Sequence, residues 1–170
     1  WKFFHKMVDV AAGRRPANSL DSVLHEADTM FRDPGALFLH FTSNHDENSW
    51  NKADYGTMPG ASHAPFAVIT QTIKQSVPLI YSGQEVPVLD SISFFYKDTI
   101  SFNQLGRAAF YKSLLNLRKT NPALAANASF KKLRTSNDAA IYAFERGKEG
   151  KKVLVVVNLS SKPQKFSWID

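Results

Sequence analysis

Cysteine is absent from all 170 residues, which excludes a disulfide framework, a thiolate zinc site and a cysteine nucleophile. No stretch approaches the roughly 18 consecutive apolar residues that a membrane-spanning helix requires, so no membrane partner is expected. Position 1 is Trp1 rather than Met, and no charged-then-apolar leader follows it. The expectation is a chain processed or cut from a larger one. The compartment stays open, with a secreted or periplasmic setting expected ahead of a cytoplasmic one. What the chain does have is a 44% share of hydrophobic types, enough for one ordinary core or two small ones.

Acidic charge is scarce in one part only. Residues 103–170 hold 13 Lys/Arg against 4 Asp/Glu, whereas residues 1–102 hold 8 against 11, and the two balances give the net +6. The basic residues come as pairs between apolar runs, Arg118-Lys119, Lys131-Lys132 and Lys151-Lys152. Pairs at strand ends form a solvated rim that discourages edge-to-edge pairing. A phosphate-binding stripe would interleave them with exposed aromatics, so no nucleic-acid partner is expected.

Periodicity divides the chain near residue 122. Residues 19–32 space Leu20, Val23, Leu24, Ala27, Met30 and Phe31 as one face of a helix, with Asn18 or Ser19 as cap and Asp33-Pro34-Gly35 as stop. The run from Ala36 to Phe41 reads as a buried strand, and residues 42–63 as a long polar loop. A second helix is expected over 64–75, a second strand over 77–81, a loop over 83–102 and a third helix over 103–121, stopped by Pro122. Beyond it the period turns to alternation at Ala140 to Phe144, then to strands at 153–157 and 166–169. The expected architecture is an α/β segment (1–122) followed by a small antiparallel sheet (123–170). A complete (β/α)₈ barrel needs roughly 250 residues, so any barrel signal in this chain belongs to part of one.

The densest chemistry is Phe41-Thr42-Ser43-Asn44-His45-Asp46-Glu47-Asn48, directly after the first strand. Polar groups there emerge at the carboxyl edge of a parallel sheet, where strand-end loops assemble active sites. From the residues alone, Asn44, Asp46 and Asn48 serve equally well as side-chain-stabilised turns. His40, His45, Asp46, Glu47 and His63 offer metal donors, but none of the usual helical ligand spacings is present. His40 is read instead as a core histidine with its hydrogen bonds satisfied, and no metal site is expected. Tyr81-Ser82-Gly83-Gln84-Glu85 lacks the G-x-S-x-G elbow of a serine nucleophile.

The segment from Phe41 to Asn48 resembles the motif at the end of the seventh barrel strand in the α-amylase family of glycoside hydrolases. The stretch Val77-Pro78-Leu79-Ile80-Tyr81-Ser82-Gly83-Gln84-Glu85 resembles that family's eighth-strand motif, and the strands ending in Val155-Val156-Val157-Asn158-Leu159-Ser160 its following β-sandwich domain. The resemblance implies the last two strands and flanking helices of a (β/α)₈ barrel, beginning near the helix after the fifth strand, followed by that sandwich domain, and an enzyme retaining configuration on α-glucans. Such enzymes pass through an oxocarbenium-like transition state between a nucleophilic and a proton-donating carboxyl group. Asp46 matches the family's third carboxylate, which binds sugar hydroxyls and stabilises that state. His45 matches its sugar-binding histidine. Asn44 would brace the turn, with Gln84 and Glu85 as a supporting shell.

The family's nucleophile lies in a G-x-R-x-D pattern, which Gly13-Arg14-Arg15-Pro16 does not fit, and its acid is a Glu at the fifth strand. The resemblance thus implies one of three carboxylates and a catalytically incomplete chain. No cofactor is expected here, although calcium in the intact enzyme is compatible with the family. The same motifs occur in transglycosylases and branching enzymes. A different class of function is a non-catalytic carbohydrate-binding or interaction module using Trp1, Trp50, Tyr55 and Trp168 as stacking platforms. Part of a barrel also exposes sheet edges, so the chain is expected to self-associate or to lean on its antiparallel portion for stability.

Overall fold

The computed structural model describes residues 1–33, 35–51, 58, 60–86 and 91–169; Pro34 and Tyr55 lie outside them. Helix α1 (Lys2–Ala11) buries Phe3, Phe4, Met7 and Val10, one stripe of an amphipathic helix. Gly13 follows its cap with φ +70°, the left-handed turn that reverses the chain. A 3₁₀ turn at Ala17–Ser19 leads into α2 (Leu20–Met30). Ser19 makes no capping bond, because at φ −64°, ψ −17° it is already helical and a cap needs extended backbone.

Strand β1 (Phe38–His40) pairs in parallel with β2 (Ser76–Pro78), Phe38 opposite Ser76 and His40 opposite Pro78. Between them lie α3 (His45–Asn51), a 3₁₀ turn at Gly60–Ser62 and α4 (His63–Thr72). The expected loop over 42–63 therefore contains a helix. Its sequence has no apolar stripe, so hydrophobic period could not show it. Helix α5 (Ala108–Thr120) starts later than expected. Its leading residues are drawn away where the Arg107 amide donates to the Glu85 carbonyl at 3.0 Å.

After a 3₁₀ turn at Pro122–Leu124, capped by the Asn121 side chain, come β3 (Ser129–Thr135), β4 (Ile141–Lys148), β5 (Lys151–Asn158) and the short β6 (Trp168–Ile169). They form one antiparallel sheet in the order β5-β4-β3-β6. Periodicity misses β3 because Lys131 and Lys132 break its alternation.

One core runs across residue 122. Phe3, Met7, Leu20, Leu24, Phe66, Ile69 and Ile73 pack in the same cluster as Tyr142, Phe144, Val155 and Val157. The Tyr142 hydroxyl donates to Asp21 on α2 at 2.6 Å, and burial raises the Asp21 pKa despite that bond. Arg146 closes the seam. It is 0% exposed and donates to the carbonyls of Thr72 (2.6 Å), Ile73 (2.8 Å), Ala125 (2.7 Å), Ala128 (3.4 Å) and Ser129 (3.0 Å). All five guanidinium donors are used. Burial, with Arg118 close by, lowers its pKa to about 10. Arg118 donates to the carbonyls of Gln71 (2.9 Å) and Ser76, so two cations gather the carbonyl-rich end of α4, where the helix dipole favours positive charge.

Candidate functional site

The two parallel strands end side by side: the Leu79 amide donates to the His40 carbonyl at 2.8 Å. Everything from Phe41 to Asn44 beyond β1 is buried. From β2 the chain turns through Gly83 at φ +95°, which folds Gln84 back. The Gln84 amide donates to Thr42 Oγ1 at 2.7 Å while its Oε1 accepts from the Tyr81 amide at 2.6 Å. Gln84 thus ties the two post-strand segments into one floor. Glu85, half-buried next to it, enters through its backbone carbonyl, which holds Arg107.

On that floor stands α3. Asn44 Oδ1 accepts from the Glu47 amide at 2.8 Å, satisfying one orphan donor of the first turn. His45 and Asp46 follow in that turn, on the outer side. The His45 side chain is 63% exposed and that of Asp46 39%, with Nε2 and Oδ1 3.6 Å apart. A carboxylate and an imidazole, both reachable, therefore sit at the carboxyl edge of the parallel pair. Together they can accept from and donate to neighbouring hydroxyl groups.

Glu47 behaves differently. It is buried, accepting from the Trp1 indole at 2.6 Å and from the Asn51 amide at 2.8 Å, with His5 3.5 Å away. Its Oε1 ties α3 to Trp1 and His5 at the start of α1, while its Oε2 is held within α3 by Asn51. His40 lies under Phe3, ring centroids 4.7 Å apart, and its Nε2 has no hydrogen-bond partner among the described residues. His63 meets the Tyr111 hydroxyl at 2.6 Å. Burial lowers both pKa values to about 4, with Arg107 adding to the effect at His63. Of the candidate metal donors only His45 and Asp46 lie together, whereas Glu47, His40 and His63 each have other neighbours. Among the described residues no three His, Asp or Glu side chains converge on one point.

Reasoning from the sequence missed the contacts made by Asn48, Ser49 and Trp50. Asn48 Oδ1 accepts from the Ile92 amide at 2.8 Å, and Ser49 Oγ donates to the Ile92 carbonyl at 2.6 Å. These bonds bring Phe94 beside His45 (5.6 Å between centroids) and Trp50 (5.8 Å). No period or motif links residues 48–50 to 92–95, so only the folded chain reveals the pairing. Of the other expected platforms, Trp1 packs edge-on against Phe41 and Trp168 edge-on against Phe166.

No protein-family model matches the chain, and no curated protein matches it in sequence. Solved structures do. A noncanonic maltogenic alpha-amylase, AmyB, from Thermotoga neapolitana aligns with 94% of this chain at a TM-score of 0.79 and 19% identity. The debranching enzyme of Nostoc punctiforme, from acarbose-soaked crystals, aligns with 94% at a TM-score of 0.69 and 18% identity. The chain spans 37% of the first and 36% of the second. At such identities the likeness is one of fold alone.

Proposed function

We propose that the chain is the C-terminal part of an α-glucan-active glycoside hydrolase. In this reading β1 and β2 are the last two strands of its (β/α)₈ barrel, and the antiparallel sheet opens the sandwich domain that follows. The observation that carries the proposal is the position of His45 and Asp46, exposed together on α3 at the carboxyl edge of two adjacent parallel strands. In a barrel that edge faces the substrate. Asp46 would hold sugar hydroxyls and strengthen its hold as positive charge develops at the anomeric carbon. His45 would donate to a hydroxyl of the same sugar. Asn44 shapes the helix start, and Gln84, with Glu85 beside it, ties the floor. The nucleophilic and acidic carboxyl groups would come from residues outside this sequence.

Calorimetric titration of the 170-residue chain with maltoheptaose tests this. Asp46→Asn and His45→Ala should each weaken binding about ten-fold, as loss of one charge-assisted hydrogen bond does. Unchanged affinity in both variants would overturn the site. Starch turnover by the chain itself, abolished by Asp46→Asn, would overturn the division of labour among the carboxyl groups.

A further inference from the structure

Phe94, Phe95 and Trp50 are large apolar side chains left in the open, at 41%, 73% and 61% exposure. They are not scattered. Phe94 and Phe95 lie 4.8 Å apart by centroid, and Trp50 is 5.8 Å from one and 6.1 Å from the other. An exposed aromatic group of this kind marks a ligand surface more often than chance, and the interactions around it restrict its geometry. Consecutive residues of α3 satisfy both backbone groups of Ile92. Asp98 accepts from the amides of Ser93 (2.8 Å) and Thr99 (2.7 Å), and the Tyr96 amide donates to Ser93 Oγ at 3.1 Å. Those backbone bonds hold the Asp98 carboxyl below its usual range. The rings are thus set before any ligand arrives, which reduces the ordering cost of binding.

We infer that Trp50, Phe94 and Phe95 form a stacking shelf for a glucose ring of an α-glucan, next to the ring held by His45 and Asp46, with Asn48 and Ser49 as its positioning residues. This inference rests on the glycoside hydrolase reading of that site. Pyranose chemistry fits the surface: a sugar offers one face of C–H groups to a ring and a rim of hydroxyls to polar neighbours. The shelf adjoins those neighbours directly, because Phe94 lies against the His45 imidazole at 5.6 Å, tilted by 30°. A ligand crossing from one to the other passes from hydroxyl-binding groups to apolar faces without a gap. Binding energy from such a remote ring is available to hold the reacting sugar in place.

The test is titration of the 170-residue chain with maltoheptaose, read by calorimetry and by tryptophan fluorescence. Phe95→Ala and Trp50→Ala should each weaken binding about ten-fold, the scale of one lost aromatic contact, with melting temperatures unchanged because both side chains are exposed. Asn48→Ala should weaken binding in the same direction, and Asn48→Asp, which keeps the acceptor for the Ile92 amide, should restore it. In the wild type, maltoheptaose should shift the tryptophan emission, and Trp50→Ala, which leaves Trp1 and Trp168 in place, should abolish that shift. Affinity lost in Asp46→Asn but unchanged in Phe95→Ala and Trp50→Ala would overturn the shelf and leave the hydrolase site standing. Affinity lost in the shelf variants but unchanged in Asp46→Asn and His45→Ala would keep the shelf and overturn that site. Absence of any maltoheptaose binding by the wild-type chain would overturn both.

Discussion

His40 and His63 are buried as neutral rings, and each carries a cost that depends on acidity. Folded, both hold a pKa of about 4, against 6.5 for an unburied imidazole. Between those values the unfolded chain takes up protons that the folded chain refuses. Stability is therefore complete above about pH 6.5 and falls as pH drops toward 4, by up to about 3 kcal/mol for each ring. His40 is the cleaner probe, since its Nε2 has no partner to lose among the described residues. His40→Leu should match the wild type in urea denaturation at pH 7.5 and exceed it at pH 5. Parallel stability–pH curves for the two would show that His40 does not titrate with unfolding. Its burial was expected, but the apolar run around it is not buried throughout, since Leu37 and Leu39 are 55% and 54% exposed. The engagement of Glu47 was not legible, because nothing in the sequence places the Trp1 indole within 2.6 Å of a carboxylate forty-six residues away.

Among the elements, α4 shows how far sequence pattern reaches. Phe66, Ile69 and Ile73 mark it by spacing alone, and all three are buried. What holds its end could not be read that way, since the acceptors there are main-chain carbonyls that any residue supplies. Arg146 reaches Thr72 and Ile73 from β4, and Arg118 reaches Gln71 from α5. Arg146→Ala should cost about 3–5 kcal/mol, since it strands buried acceptors and removes their cation. Arg146→Lys should fall between, because an ammonium has three donors for five acceptors. Shifts in the urea midpoint measure both, and a loss under about 1 kcal/mol in Arg146→Ala would show that those carbonyls find water instead. Helix α3 is the opposite case. Its turn is built from polar contacts at Asn44, Glu47 and Asn48, so a search for apolar period passes over it.

For the whole molecule, the two regions that periodicity separates near residue 122 are joined by packing. Tyr142, Phe144, Val155 and Val157 supply part of the core on which α1, α2 and α4 rest. Residues 1–122 produced alone should therefore lose cooperative unfolding and expose apolar surface to a dye such as ANS. A sharp thermal transition in that shortened chain would show that the α/β region has a sufficient core of its own. Along β1, which pairs with β2 on one side, Phe3, Leu24, Met30, Phe31 and Phe38 line a cavity of about 460 Å³. The change of period at Pro122 made the two sheets legible. Their common core was not, since a buried valine looks the same whichever layer it faces.

The Arg146 latch has a bearing on how this fold can persist in chains so unlike in sequence. Its five acceptors are backbone oxygens, present whatever side chains stand at positions 72, 73, 125, 128 and 129. Substitution can drift freely at all five as far as the latch is concerned, provided the one guanidinium is kept.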